Sequence, residues 1–383
     1  LDVVLTILSL LALALLGWQW AAGARFPLHR RVTPRNRAPA LTLLKPVKGC
    51  DEQTADCLRS WFVQRYPGPV QMLIGAASAD DPVVPIVRKL IAEFPRVNAE
   101  LVICEPLAGA NAKVAKLAIL EKKAAHGILV ISDADVFAPP DLLENVVRGL
   151  ENPETGLVNC FYRMASPRNV AMKWEALATN ADFWSQVLQN NTLKPMDFAL
   201  GAVMAVRREV LGRIGGFEAL ADCLADDYQL GHRVARAGFG VQLSTIVVEC
   251  RSGILSWRDV WKHQLRWART IRVCQPVPYF FSILSNASVW PLLLVAFFPS
   301  VQMAMLTCVC WLLRILAALD LQRRIEGGAI KLTWAWLVPL KDLLQTAVWL
   351  GAFLGNTVEW RGRRMVLRKD GTVVHNEACS RIS

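Results

Sequence analysis

Residues 3–24 hold no charged side chain. An apolar run of about 22 residues is long enough to carry one helix across a hydrocarbon core of about 30 Å. Trp18 and Trp20 lie towards its end, as residues of an interfacial aromatic belt do, and Arg25, Arg30, Arg31, Arg35 and Arg37 come after it. The length of the run and the lack of a basic residue ahead of it point to a retained anchor rather than a cleaved leader. The positive-inside tendency puts the domain after this basic block on the cytoplasmic side.

A second tract, residues 276–313, also lacks Asp, Glu, Lys and Arg. It is nearly twice the roughly 20 residues that one crossing needs. Pro299 and Ser300 near its middle predict a hairpin of two crossings. A third tract, Leu332 to Val358, is interrupted by Pro339, Lys341 and Asp342 and ends before Arg361, Arg363, Arg364, Arg368 and Lys369. Charge in mid-membrane is costly unless it pairs or faces a cavity. This tract is therefore expected to be a re-entrant hairpin closing a lipid entrance, with Lys341 against Asp342 or the acceptor channel. The hydrophobic residues amount to 54% with only 20% charged, so wholesale disorder is excluded. The charge is gathered between the apolar tracts, which argues against a purely transmembrane transporter.

Between the tracts, short apolar runs alternate with segments of helical spacing. Leu41–Leu44, Val70–Ile74, Leu101–Cys104 and Ile128–Ser132 read as strands, and Val83–Phe94 and Lys113–Ala125 as helices. Such alternation predicts an α/β domain with a parallel sheet covered on both faces. Ligands in such domains bind beyond the carboxyl ends of the strands. The expected organisation is an anchor at 1–24, a basic linker at 25–39, a catalytic domain at 40–255, an interfacial helix at 256–275, transmembrane or re-entrant helices at 276–358 and a basic tail at 359–383. The ten cysteines show no CxxC and no zinc spacing, and read as reduced thiols of a cytosol-facing domain.

Three local patterns carry chemistry. The run Ile128–Ser132 delivers Asp133 and Asp135 to the end of a buried strand. Two carboxylates there suit a Mg²⁺ or Mn²⁺ ion that also holds a diphosphate. Asp226 and Asp227 open a helix expected over Tyr228–Ala237. One acid suffices for a cap, so the second is available as a general base. The segment Ser256–Val273 sets Trp257, Trp261, Leu265, Ala268 and Ile271 beside Arg258, Lys262, Arg266, Arg269 and Arg272, the pattern of an interfacial helix. Arg266 and Trp267 are its candidates for a phosphate and an acceptor, with Arg269 and Arg272 expected at lipid headgroups. Asp80 and Asp81 come after the Val70–Ile74 run, and Lys113 after Asn111 and Ala112. No GxxxxGK[ST] or GxGxxG occurs. The net charge of +11 is assigned to a membrane surface and not to nucleic acid, because stacking aromatics are not interleaved with it.

In this order the pieces resemble the membrane-bound inverting glycosyltransferases of the GT-A fold, most closely the ceramide glucosyltransferases. The resemblance covers nearly the whole chain. Leu43 to Gly49 resembles the opening strand and loop, with Lys45 on the donor side. Asp80-Asp81-Pro82, Asn111-Ala112-Lys113 and Asp133-Ala134-Asp135 resemble the donor-binding segments. Gly201 and Arg207 to Leu211, with Ile214-Gly215-Gly216-Phe217, resemble the acceptor side. Asp226-Asp227-Tyr228 resembles the site of the base, Asp227. Trp360-Arg361-Gly362-Arg363-Arg364 resembles the basic exit from the membrane. Where the family has Gln or Arg three residues before its Arg-Trp pair, this chain has His263 before Arg266 and Trp267.

The resemblance implies a Rossmann-like nucleotide-sugar domain, a UDP-sugar donor (UDP-glucose), a membrane lipid acceptor (ceramide) and a divalent cation held by Asp133 and Asp135. Transfer of glucose or N-acetylglucosamine to another lipid such as a hopanoid polyol, a processive polysaccharide synthase and a non-catalytic binding domain are the competing readings.

Overall fold

A computed structural model of the chain describes residues 1–104, 109–360, 363–368 and 370–375. Helix α1 (Asp2–Arg25) leads to a mixed α/β layer: β1 (Leu41–Pro46), α2 (Thr54–Phe62), β2 (Val70–Ala76), α3 (Val83–Glu93), β3 (Asn98–Ile103), α4 (Ala112–Lys123), β4 (Ile128–Ser132), β5 (Val136–Phe137), α5 (Leu142–Gly149) and β6 (Thr155–Met164). Then come α6 (Val170–Leu177), a π-helical turn (Ala178–Phe183), α7 (Trp184–Asn191), β7 (Val203–Arg207), α8 (Arg208–Arg213), α9 (Asp226–Arg236) and β8 (Gly240–Cys250).

The eight strands run in the order β3-β2-β1-β4-β7-β6-β8-β5. The first four are mutually parallel, as the sequence predicts. The sheet as a whole is nevertheless mixed: β7 lies antiparallel between β4 and β6. Strands β1 and β4 are mostly apolar and buried almost throughout because both faces are covered. Leu44, Leu129 and Ile131 face one core, and Leu41, Leu43 and Val130 face the other, the period-two alternation of a pleated strand.

After the sheet come α10 (Trp257–Cys274), α11 (Pro276–Phe281), α12 (Val289–Phe297), α13 (Val301–Glu326) and α14 (Leu337–Phe353). The first core does not stop at the sheet. It continues through Trp184 and Ala22 to Ala318, Leu321 and Ile325 on α13, so the apolar helices and the α/β layer share one packed interior.

Among the described residues, α1 and α13 are long and apolar enough to cross a membrane. The segments 276–285 and 289–297, bent by 56°, make a third if they form one span. The break before α13 falls at Phe298 to Ser300, where Ser300 caps α13, as Pro299 and Ser300 predict. Trp18 and Trp20 are not free for an aromatic belt. Their indole N–H groups donate to the Thr192 hydroxyl (3.0 Å) and to the Asp320 carboxylate (2.8 Å).

The C-terminal stretch is more than a basic tail. Strands β9 (Thr357–Trp360), β10 (Arg363–Leu367) and β11 (Val373–His375) form an antiparallel sheet. It lands on the α/β layer: Val373 N–H donates to the Asp222 carbonyl (2.8 Å), Thr372 bridges Cys223, and Lys262 of α10 pairs with Glu359 (2.8 Å). Arg361, Gly362 and Lys369 lie outside the described residues.

Helix α9 meets the segment before β7 backbone to side. A Cβ at Gly231 would meet Phe198 Cα at 2.8 Å, with other backbone atoms of Phe198 and Ala199 closer still. Backbone cannot move aside as a side chain does. We expect Gly231→Ala to destabilise the fold by roughly 1–3 kcal/mol, read as a lowered thermal transition in detergent; an unchanged transition contradicts this packing.

Candidate active site

Three of the sequence motifs, Asn111-Ala112-Lys113, Asp133-Ala134-Asp135 and Asp226-Asp227, meet where α4 and α9 begin beside the carboxyl end of β4. Asn111 starts α4. Its side-chain oxygen accepts from Lys113 N–H (3.0 Å) and Val114 N–H (3.3 Å), and its amide donates to the Cys223 carbonyl (2.8 Å). This cap satisfies orphan donors of the first turn and fixes the adjacent Lys113. The Lys113 ammonium lies 2.7 Å from Asp133 and 3.0 Å from Asp226. Burial opposes its charge, but Asp133, Asp226 and Asp227 outweigh burial and hold its pKa above the ordinary lysine range.

The acids 226 and 227 lie inside the first turn of α9, not ahead of it. Ala225 occupies the cap position, so neither acid is spent as a cap. Asp226 is engaged by Lys113. Asp227 accepts from the adjacent Tyr228 N–H (2.8 Å). Burial raises the Asp227 carboxyl to about 6; the neighbouring Asp226 charge pushes the same way, and Lys113 pulls against it. Gly201 faces it: a Cβ there would stand 2.7 Å from Asp227 Oδ2. The glycine is what leaves space for the carboxylate.

Lys45 has a different place from the one its motif suggests. It is 0% exposed, its ammonium donates to the Ser132 hydroxyl (3.3 Å) and the Asp133 carbonyl, and it stands over the Trp61 ring at 4.8 Å. Burial lowers its pKa to about 8, with Asp135 and Asp133 opposing. Lys45 therefore shapes the turn that presents Asp133 and Asp135. Asp81 likewise holds backbone, accepting from Gly49 N–H (2.9 Å) and Val83 N–H (3.0 Å), while Asp80 is exposed beside it. Asp81 thus braces the loop after β1.

Asp133 is half-buried and Asp135 exposed, two residues apart on one turn. They offer only hard carboxylate oxygens on the open side of the site. That donor set fits one divalent cation completing its shell from a diphosphate and water. Among the described residues no three His, Cys, Asp or Glu side chains converge as a protein-only cage.

The third wall is α10, which begins with a Ser256–Asp259 capping box. Its buried face is Val260, Gln264 and Ala268. His263 Nδ1 meets Glu175 at 2.6 Å, and the His263 ring stands edge-on to Trp267 with centroids 4.4 Å apart. Trp267 in turn meets Tyr162 at 6.3 Å. Burial pushes the Tyr162 phenol well above its usual range. Cys250, Asp227 and Asp133 act the same way, and Arg266 acts against them. Tyr162 thus lies in the field of the acids on one side and of Arg266 on the other.

Arg269 and Arg272, expected at headgroups, are turned inward. Arg269 donates to the Thr357 and Gly351 carbonyls, and Arg272 to the Gly355 carbonyl and the Asn356 side chain. Cations are favoured at the carbonyl end of a helix, and these two cover the end of α14. Glu175, Tyr162 and Asp222 carry no motif. Among them only Tyr162, at the end of the apolar β6, lies where sequence would direct a search.

A sheet of this kind, with acids at its switch from parallel to antiparallel strands, is the GT-A glycosyltransferase fold. The glycosyl transferase family 21 model matches residues 4–373, and the chain belongs to that family; it is a glycosyltransferase. It is 21% identical over 364 residues to ceramide glucosyltransferase 3 of Caenorhabditis elegans, covering 92% of this chain and 78% of that protein. A ceramide glucosyltransferase of Candida albicans is 33% identical over 143 residues, 34% of this chain and 26% of that one. Among solved structures, the mannosyltransferase PcManGT from Pyrobaculum calidifontis, in complex with GDP-Man and Mn²⁺, aligns over 91% of this chain and 98% of its own at 21% identity, with a TM-score of 0.50.

Removing Lys113 leaves Asp226, 11% exposed at its side chain, without a counter-charge; Asp133, at 38%, is screened by water. We expect Lys113→Met to cost roughly 3 kcal/mol of stability, mainly through Asp226, measured by thermal unfolding. A variant as stable as the parent contradicts the pairing.

Proposed function

We propose that this chain transfers one glycosyl unit, glucose from UDP-glucose, to the hydroxyl of a membrane lipid, ceramide foremost, with inversion and on the cytoplasmic face. The reading rests on continuity. The Lys113–Asp133–Asp226–Asp227 cluster adjoins Tyr162 and Trp267, and Trp267 also lines a cavity built partly from the apolar helices. The names of the relatives support glucose and ceramide, and the Mn²⁺ of the mannosyltransferase complex supports a divalent cation.

In this mechanism Asp227 takes the proton of the acceptor hydroxyl as it attacks the anomeric carbon. A carboxylate raised to about 6 is a stronger base than an ordinary one and is still ionised at neutral pH. Lys113 engages Asp226 and Asp133, which leaves Asp227 as the acid open to the acceptor. Asp133 and Asp135 would hold the cation, which when bound supplies positive charge to the departing diphosphate. Arg266 would add to that positive charge, a contribution that grows as the bond to UDP breaks. Trp267 forms the wall between donor and lipid.

Asp227→Asn keeps the shape and removes the base. Turnover is expected to fall by roughly 10²–10⁴-fold with donor affinity kept, as measured by initial rates and donor titration. Because the base works ionised and its pKa is raised, kcat/KM in the parent is expected to fall as pH drops through about 6. A profile flat down to pH 4.5 contradicts the assignment.

Contacts at both ends of α14 bear on the topology. Before it, His29 Nε2 meets the Arg324 carbonyl at the end of α13 (2.9 Å), and His29 N–H donates to Thr245 of β8 (2.7 Å). After it, β11 binds Asp222. Both ends therefore belong on the side of the catalytic layer. At 17 residues α14 is one continuous helix about 25 Å long, not the two-legged hairpin expected, and with both ends on one side it would lie against or within that side of the membrane rather than cross. Lys341 and Asp342 of α14 pair with each other, with Asp182 of the π-helical turn and with Arg314 of α13, Lys341 and Arg314 each meeting both acids. A cysteine introduced by His375→Cys is expected to resist an impermeant maleimide applied outside sealed cells; labelling from outside contradicts this topology.

The reading as a whole is tested with purified protein, a panel of nucleotide sugars and a lipid extract, and mass spectrometry of the lipids afterwards. A lipid heavier by one hexose is expected. A polymer indicates a processive synthase, and no lipid product with any donor contradicts the reading.

A further inference from the structure

Glu175 is a buried acid that carries no motif, and it lies against the helix that presents Arg266 and Trp267. It sits on α6 and is 4% exposed. Among the described residues its ion-pair partner is His263 of α10, whose Nδ1 stands 2.6 Å from Glu175 Oε1. Gln264 donates to the same oxygen from Nε2 (3.2 Å). A carboxylate only accepts. Both α10 side chains therefore turn an N–H to Glu175, His263 through Nδ1 and Gln264 through its NH₂. Gln264 is left with its oxygen for Gln345 of α14, which donates to it (3.3 Å).

Adjacent residues of an α-helix point about 100° apart. One carboxylate that receives from residues 263 and 264 together fixes how α10 is turned about its own axis. Arg266 and Trp267 come one turn later on the side of His263, and the His263 and Trp267 rings meet edge-on with centroids 4.4 Å apart. Two further contacts between α6 and α10 constrain that rotation less. Asn169, the cap of α6, donates to the Leu255 carbonyl (2.8 Å), which holds only the start of α10. Trp174 meets the rings of Trp257 and Trp261 at 5.7 and 6.0 Å. Ring contacts tolerate sliding, whereas hydrogen bonds weaken steeply away from their preferred angle.

Helix α6 is in turn tied to the sheet. In the π-helical turn that continues it, Asn180 accepts from Met164 N–H (2.8 Å) and donates to the Met164 carbonyl (3.1 Å), at the end of β6. Directional contacts thus run from the carboxyl end of the sheet through α6 and Glu175 to α10.

We propose that Glu175 is a positioning residue for the transfer: its hydrogen bonds to His263 and Gln264 set the rotation of α10, and so aim Trp267 and Arg266 at the reacting groups. Glu175 acts only through α10. A misplacement of about 1 Å can cost roughly 10²-fold in rate, so turnover suffers without any loss of the fold. This inference rests on the proposed transfer to a lipid.

The test compares Glu175→Gln with Glu175→Met in the intact protein in detergent, with rates expressed per donor-binding site so that misfolded protein is not counted. Glutamine keeps an oxygen for His263, and its NH₂ is met by a turned Gln264; kcat is expected to fall by less than about fivefold. Methionine keeps the length and accepts nothing; kcat is expected to fall by about 10–100-fold, with donor affinity within about threefold of the parent. His263→Phe reaches the same contact from α10. It keeps a ring beside Trp267, removes the N–H and is expected to lose about tenfold in kcat, which decides the matter if Glu175→Met does not fold. Parent-like kcat per site in Glu175→Met or in His263→Phe overturns the proposal. So does a Glu175→Gln enzyme that falls as far as Glu175→Met, because the charge and not the hydrogen bonds would then be what acts. If the parent glycosylates no lipid while the donor still binds, the lipid-transfer reading fails and takes this proposal with it.

Discussion

One ammonium group ties the catalytic centre together. Lys113 reaches Asp133 on the turn after β4 and Asp226 on the first turn of α9, residues more than ninety positions apart. Three carboxylates, Asp133, Asp226 and Asp227, share this small, largely buried region. Lys113 offsets two of them directly. The third, Asp227, keeps a raised pKa because burial and Asp226 outweigh the help it receives. Removing the lysine would leave the donor-side turn and the base repelling each other, so the same contact maintains the fold and divides labour between the acids.

Around that contact the chain spends its long-range interactions on holding α9 in place. Asn111 and Ala110 bond to Cys223 and Asp222, and β11 bonds to Asp222 from the other side. The segment leading into Asp226 is therefore laced between the start of α4 and the C-terminal sheet. That sheet is linked through Asn356 and Thr357 to Arg272 and Arg269, and so to the end of α14. Asp227 is thereby connected, through these contacts, to a helix that lines the cavity, a link that the proposed transfer from a soluble donor to a bilayer lipid would use.

Much of this was legible in the sequence. The strand Ile128–Ser132 coincides with β4 because a run of buried β-branched and leucine residues ends in polar acids. The break between α12 and α13 falls at Pro299 and Ser300, where proline cannot continue a helix. What escaped was determined by partners distant in the chain. Nothing near Arg269 and Arg272 shows that two basic residues on an amphipathic helix will meet carbonyls more than eighty positions later rather than lipid headgroups. Nothing near Lys45 shows that its charge is sealed beneath the turn it supports. Glu175 looks like any helical surface acid until α10 is laid across it. Antiparallel β7 escaped because its alternation with helices reads the same in either direction.

In the proposed transfer, Asp227 acts as a base opposite the departing diphosphate, and the chemistry is then a single displacement. The anomeric proton coupling, by NMR, of glycolipid made from an α-linked UDP-sugar reads this out directly. A large coupling, from a β-linked hexose, is expected. A small coupling, from a retained α-linkage, would require an intermediate on the enzyme or front-side attack, and would contradict the role given to Asp227.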